Sequence, residues 1–306
     1  MSPILIRALL ILFALLVVAS VTIGVLAQRS PEKDWSELKK RITTWWWIVI
    51  VFALAIATPR ALSLTVFAAI SFLALKEYLT LIPTRRSDSM PLLWAYIAIP
   101  IQYYWVGIEW YSMFLVFIPV YVFLFLPMRM VLIGNNKNFL HSASMLHWGV
   151  MTTVFSISHV AYLTVLPSKA PETGPLLVIY LVALTECNDI AQYLWGKSLG
   201  RIKVIPKVSP NKTLEGLLGG IATTMFLAWL LGGVLTPLSG WESLGMGFLI
   251  GVTGFIGDVV MSAVKRDIGV KDSGSMLPGH GGILDRLDSL IYTAPLFFHV
   301  LYYLHF

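Results

Sequence analysis

Residues 216–241 read GLLGGIATTMFLAWLLGGVLTPLSGW, 26 positions without a charged side chain. A helix rises about 1.5 Å per residue, so about 20 such residues cross a hydrocarbon core of about 30 Å. This run is long enough to do so alone. Charge-free runs recur at 8–27, 42–59, 89–108, 110–128, 138–168 and 289–306, with shorter ones at 61–75, 173–185 and 243–257. Together they predict an all-α polytopic membrane bundle of about ten helices, at 3–27, 44–58, 60–82, 91–106, 112–133, 144–166, 175–196, 214–237, 242–264 and 287–305. The second is short and ends at Thr58-Pro59, so it reads as a half-helix or one arm of a hairpin with the third.

Composition agrees. Of 306 residues, 57% are apolar and 12% charged, against about 45–50% and about 25% in soluble domains. So little polar surface excludes an ordinary soluble enzyme, a disordered chain and a fibrous repeat. One cysteine, Cys187, excludes an internal disulfide and a cysteine-rich zinc site. No internal repeat is evident. The net charge of +6 reports topology and anionic lipid rather than a nucleic-acid partner.

Loop charge sets the orientation. Of the 22 Lys and Arg residues, 18 fall in alternate connections, at 28–43, 83–90, Arg129 with Lys137, 197–213 and 265–286. The intervening connections hold only Arg60 and Lys169. The positive-inside rule puts the 18 in the cytoplasm and both termini outside. Val25-Leu26-Ala27 could pass for a signal-peptidase site, but a 20-residue apolar run followed by five basic residues reads as a retained span.

Ionisable residues within spans suggest function by default. Lys76-Glu77 reads as a neutralising or interfacial pair. Glu186 and Asp189 sit in the seventh helix and Asp258 in the ninth. In the ninth, Gly247, Gly251, Gly254, Asp258, Ser262 and Lys265 share one face. The glycines allow close helix packing, but packing does not explain the carboxylate. Asp189, Tyr193, Gly196 and Gly200 repeat the pattern. Asp189 and Asp258 each lie eight residues before a basic residue, Lys197 and Arg266. Two carboxylates at one depth suggest a cation site in a cavity open to the cytoplasm, with oxygen ligands suited to magnesium.

Two polar segments add phosphate chemistry. Residues 196–216 carry five lysines and arginines with hydroxyls at Ser198, Ser209 and Thr213. Gly196-Lys197-Ser198 is not a P-loop, because Ala191 stands where that motif needs glycine and no strand-to-helix setting exists. Residues 262–288 gather Lys265, Arg266, Asp267, Lys271, Asp272, Asp285, Arg286 and Asp288 around Gly279-His280-Gly281-Gly282. Glycines let backbone N–H groups approach phosphate oxygens. Asp285 and Asp288, three apart, can face one site at a helix start. The other histidines, at 141, 147, 159, 299 and 305, are scattered packing or interfacial residues.

The stretch S-x-x-K-R-x-x-x-x-K-D-S-x-x-x-x-P-G-H-G-G-x-x-D-R-x-D, from Ser262 to Asp288, resembles the phosphatidate cytidylyltransferases. K-x-S-P-x-K-T-x-E-G at Lys207 to Gly216, Gly257-Asp258, and Asp189, Tyr193, Gly196, Lys197 and Gly200 are similar to further blocks of that family. The likeness covers about the last 120 residues and suggests two regions. Residues 1–170 are N-terminal helices, and 171–306 a catalytic region with cytoplasmic loops 197–213 and 265–286.

The resemblance implies an integral enzyme of the bacterial inner membrane that joins CTP to phosphatidate, releasing pyrophosphate, with Mg2+ on Asp258 and Asp285. The implied catalytic set is Asp258, Lys265, Asp272, Asp285, Arg286 and Asp288. The implied substrate contacts are Asp189, Lys207, Ser209, Lys212, Thr213, Arg266, Lys271 and His280. Lys207, Lys212 and Lys271 would hold the triphosphate, and Arg266 and Arg286 the lipid phosphate, since a planar fork suits phosphate. Membrane lipids are the expected surroundings, and a homodimer is compatible with the sequence. Two positions depart from the family: Ile190-Ala191-Gln192, where Ser/Thr-Gly-Ala is common, and Met261, where an acid is common. They leave open a related CTP-dependent transferase acting on another lipid phosphate or lipid alcohol. A transporter binding a coupling ion at Asp189 and Asp258 is the non-enzymatic rival, but it would not need the polar loop at 265–286.

Overall fold

The computed structural model describes residues 3–32, 34–83, 89–134, 138–167 and 173–306. Of the charges used for topology, Lys33, Arg85, Arg86, Lys137 and Lys169 lie outside the described residues. The described chain is nearly all helix: α1 (Pro3–Arg29), α2 (Ser36–Ala57), α3 (Arg60–Leu81), α4 (Ser89–Gly107), α5 (Tyr111–Leu132), α6 (139–163), α7 (Thr173–Leu199), α8 (Leu214–Leu235), α9 (Gly240–Ile268) and α10 (Leu284–His305). Helices α5 and α6 each contain a π-helical turn, at Phe117–Val122 and Met151–Phe155. Among the described residues seven helices are long and apolar enough to cross a membrane: α1, α2, α3, α5, α7, α8 and α9. The chain is an integral membrane protein.

Three boundaries differ from expectation in ways that matter. Helix α2 begins at Ser36 and runs 22 residues, so it is no half-helix, and Lys39, Lys40 and Arg41 lie on its first turns. Pro59 ends it and opens α3, where a missing N–H costs nothing. Helix α7 continues through Gly196-Lys197-Ser198, which confirms that these residues are not a phosphate loop. The segment after α7 is not wholly loop. It forms an antiparallel hairpin, β1 (Lys203–Ile205) with β2 (Ser209–Thr213).

Local signals fix the ends around the hairpin and α9. Thr213 caps α8 by accepting from the Gly216 N–H at 3.2 Å. The Glu215 carboxylate accepts from the backbone N–H of Arg201 and Ile202, closing the hairpin base. Ser239 and Glu242 form a reciprocal capping box at the start of α9, and Gly269, at φ +82°, ends it. One apolar core extends from Leu5 to Leu301. Helix α1 is peripheral, burying only Leu5 and Leu9.

Helices α8 and α9 meet through small residues, as the glycine face predicts. A Cβ on Gly247 would lie 2.7 Å from the Met225 Cα, and one on Gly251 3.1 Å from the Ile221 Cα. His159 is enclosed by Phe114, Phe155, Phe298 and His299, a packing role of the kind expected for it.

Candidate active site

Gly257 determines where the chemistry gathers. A Cβ there would lie 2.5 Å from the Asp288 carbonyl oxygen, so only glycine lets α9 touch the first turns of α10. That contact brings Asp258 of α9 near Asp288 of α10, and Asp285 lines the same cavity. Asp189 of α7 joins them, its Oδ2 accepting from the Ser289 hydroxyl at 2.8 Å. Asp288 feels the charges of both Asp258 and Asp189.

All four aspartates, with Glu186, line a cavity of about 850 Å³. The hairpin side adds Lys197, Lys203, Ser209, Lys212 and Thr213. Arg286 of α10, and Arg41 and Trp45 of α2, complete the lining. Carboxylates and cations thus line one pocket together.

Each expected metal ligand already holds a lysine. Lys212 Nζ lies 2.5 Å from Asp258 Oδ2, and Ser262 Oγ donates to Oδ1 at 3.3 Å. Lys212 also donates to Gln192 Oε1 at 3.3 Å and sits 5.5 Å from the Phe255 ring centroid. Lys265 Nζ donates to Asp285 Oδ1 at 2.7 Å, while the N–H groups of Ser273 and Gly282 donate to Oδ2 at 2.8 and 2.9 Å.

A carboxylate offers about four acceptor sites. Asp285 therefore keeps one free and Asp258 two, and the buried Asp189 Oδ1 has no partner. Among the described residues no three such side chains converge on a finished metal shell. The hard oxygen donors nevertheless suit magnesium, with further ligands left to water and substrate phosphate.

Other expected contacts lie elsewhere. Lys207 is exposed at the hairpin tip, and Lys271 and Asp272 are exposed in the loop before α10. Arg266 is exposed and donates to the Val270 carbonyl. None of these four lines the cavity. His280 packs edge-on against Trp45, ring centroids 5.9 Å apart. Burial, then the charges of Arg286 and Arg41, hold its imidazole below the usual range. Of the two departures, Met261 is buried, while Ile190 and Gln192 line the cavity.

The residue that sequence reasoning missed is Glu77. It is no partner of Lys76: Lys76 is exposed, and Glu77 is buried at 6% exposure. Its carboxylate accepts from Ser273 Oγ at 2.5 Å and from the backbone N–H of Ile283 and Leu284 at 2.9 and 3.0 Å. It caps α10 from another helix, while Gly274 and Gly282 pack against it. Glu77 and Asp285 both hold Ser273 and the start of α10, at the two ends of the same loop. The signal was present: Ser63, Phe67, Ser71, Ala74 and Tyr78 repeat at helical spacing, and Glu77 falls on that buried face.

Comparison with known proteins matches this architecture to a family. The model of the cytidylyltransferase family matches residues 39–304. YnbB of Escherichia coli K12, described as uncharacterized, is 54% identical over 297 residues, covering 97% of this chain and 98% of that protein. A phosphatidate cytidylyltransferase of Synechocystis sp. is 44% identical over 135 residues, 44% of this chain and 45% of that enzyme. One of Staphylococcus aureus (strain COL) is 39% identical over 150 residues, 48% of this chain and 58% of that enzyme. The alignments with these two enzymes span about half the length of each. An acidic, lysine-rimmed cavity within a membrane helix bundle thus accompanies a family match over most of the chain, and the protein belongs to the cytidylyltransferase family.

Proposed function

We propose that the protein transfers the cytidylyl group of CTP to phosphatidate, giving CDP-diacylglycerol and pyrophosphate, at a cavity open to the cytoplasm of the bacterial inner membrane. The observation that carries this reading is the gathering of both signs of charge in one cavity. Asp189, Asp258, Asp285 and Asp288 line it together with Lys197, Lys203 and Lys212, and Lys212 is paired directly with Asp258. A nucleoside triphosphate needs cations along its phosphates, and a divalent cation needs the acids. The orientation rests on loop charge, since both polar segments fall in the Lys/Arg-rich set.

In this reaction an oxygen of the phosphate monoester attacks the α-phosphorus of CTP. The new P–O bond forms as the bond to pyrophosphate breaks in line. Such chemistry asks the protein mainly for positioning and charge neutralisation. Lys212, Lys197 and Lys203 hold the triphosphate. Lys265 keeps the Asp285 carboxylate ionised and aimed. A magnesium ion on Asp258 and Asp285 would neutralise charge developing on the pyrophosphate. Asp189 and Asp288 add oxygen donors beside them.

The test supplies purified protein with radiolabelled CTP, magnesium and one of three acceptors: phosphatidate, a polyprenyl phosphate or diacylglycerol. Labelled CDP-diacylglycerol from phosphatidate alone is the expected product. Label passing only to another acceptor would replace phosphatidate as the substrate. No labelled lipid from any acceptor would remove the proposed activity.

A further inference from the structure

We propose that Arg41 and Trp45 of α2, with Arg286 of α10, form the subsite that receives the acceptor's phosphate monoester from the bilayer side of the cavity. This inference rests on the function proposed above and adds to Arg286, which the sequence motifs include, two residues that they leave out, Arg41 and Trp45.

The two arginines belong to one group. Both line the cavity, and both place their charge near the His280 ring. Arg286 Nε is buried without a hydrogen-bond partner, a costly state for a guanidinium donor unless a ligand fills it. Glu186 lines the same wall and feels the Arg286 charge, so the arginine is oriented without being capped at Nε. Among the described residues Arg41 is paired only with Glu37, at 2.6 Å, with the two side chains 50% and 69% exposed. An exposed pair at helical spacing is weak, so a dianionic phosphate displaces it readily.

Helix α2 is docked so that this face is presented. Thr44 Oγ1 donates to the Pro278 carbonyl at 2.7 Å. Gly279, at φ +77°, lets the Arg41 backbone come close: a Cβ there would lie 3.3 Å from the Arg41 N. Arg41 and Trp45, four apart, therefore share the cavity face, and Trp45 meets His280 edge-on.

The position on α2 selects the lipid rather than the nucleotide. Just beyond Trp45 the helix turns apolar residues outward, with Trp47 64% and Leu54 47% exposed. A lipid entering along α2 brings its phosphate to Arg41 and Arg286 while its chains stay beside Trp47 and Leu54. Lys197, Lys203 and Lys212, on α7 and the hairpin, line the same cavity and are left for CTP. Arg41 thus takes the part that the sequence assigned to Arg266.

Binding of short-chain phosphatidate and of CTP to the purified full-length protein, measured separately by calorimetry, tests the subsite without turnover. For Arg41→Gln, phosphatidate binding should weaken about tenfold or more, the worth of a charge-assisted hydrogen-bonded pair, while CTP binding stays within about twofold. Arg41→Lys keeps the charge but loses the fork and should fall between. A near-surface change of this kind should leave the fold intact, with unchanged CTP binding as the internal check. Equal weakening of both ligands would assign Arg41 to the nucleotide. Unchanged phosphatidate binding in Arg41→Gln, or no phosphatidate binding by the wild type, would overturn the subsite. If the wild type binds phosphatidate through Arg41 yet forms no CDP-lipid, the subsite stands and the proposed activity falls.

Discussion

Helices α7 to α10 approach one another almost backbone to backbone. A Cβ on Gly216 would lie 2.7 Å from the Gln192 carbonyl oxygen, and one on Gly257 2.5 Å from that of Asp288. Helices α1 to α6 meet mostly through side chains: Phe114 against Tyr162, Trp94 against Phe125, and Tyr103 bonded to Ser71. Backbone contact fixes position to a fraction of an ångström, because nothing between the helices can repack. Ring contact tolerates more adjustment. The region that positions the carboxylates therefore has glycine at its joints, and the other region contributes single side chains that reach in: Glu77, Thr44 and Arg41.

The carboxylates should show the largest effect. Asp258→Asn and Asp285→Asn each leave volume and shape nearly unchanged while removing charge from the cavity. Each should lower cytidylyl transfer by about a thousandfold or more, as expected where electrostatics carries most of the catalysis. Circular dichroism and membrane insertion should match the wild type. Retention of activity within about threefold by either variant would exclude that residue from the proposed metal site.

Gly257→Val sharpens the comparison next. It adds no charge and removes none, but its Cβ meets the Asp288 carbonyl and forces α9 away from α10. A displacement of about 1 Å at a reacting centre can cost about a hundredfold, so a loss of that order is expected, with a lower melting temperature. Ring-packed positions in the first six helices should be more forgiving: Phe125→Leu, against Trp94, should lose less than about threefold, since volume-conserving apolar changes cost little. If Phe125→Leu proves as damaging as Gly257→Val, the contrast between the regions does not hold.

Glu77→Gln asks whether the first region acts on the site or only supports it. Gln has the same shape, but its NH2 group must face backbone N–H donors at Ile283 or Leu284. Leaving a buried donor unmet costs about 1–3 kcal/mol, and the loop so loosened carries Asp285. A drop in kcat of about tenfold to a hundredfold is expected on that cost, with the KM for CTP changed far less. Glu77→Asp should restore part of it. A loss of stability with kcat intact would show that Glu77 supports the fold alone.

Much of this was legible in the sequence, for reasons specific to each residue. Asp258 was visible because a carboxylate on a glycine face has no packing explanation. Asp285 and Asp288 were visible because their spacing of three puts both on one helix start. Glu77 was not, because its partners lie about 200 residues away and adjacent Lys76 offered a simpler account. Lys207 and Lys271 looked like phosphate ligands by type, but the hairpin turns one to its tip, and the loop before α10 leaves the other exposed. Spacing along a helix is read directly, whereas the direction of a loop side chain depends on contacts that spacing does not record. The early start of α2 was hidden for a related reason. Its first turns are charged, and hydropathy counts charge as loop even where a helix simply extends beyond the membrane.

That hidden extension supplies the smallest and most selective test. Thr44 is buried at 3% exposure and makes one bond, to the Pro278 carbonyl, that ties α2 to the turn carrying His280. Thr44→Val keeps the shape and removes the hydroxyl. The loss of one neutral hydrogen bond is worth about 0.5–1.5 kcal/mol, too little to unfold the protein but enough to let Arg41 and Trp45 drift from the cavity wall. The KM for phosphatidate should rise about threefold on that energy, with kcat and the KM for CTP unchanged. Asp285 is held by Lys265 and by the Ser273 and Gly282 N–H groups at the two ends of its loop, away from Pro278, so kcat should not feel the change. A fall in kcat instead would mean that α2 braces the carboxylates themselves. The division between a glycine-jointed catalytic region and reaching side chains would then have to be redrawn to place α2 with α7 to α10.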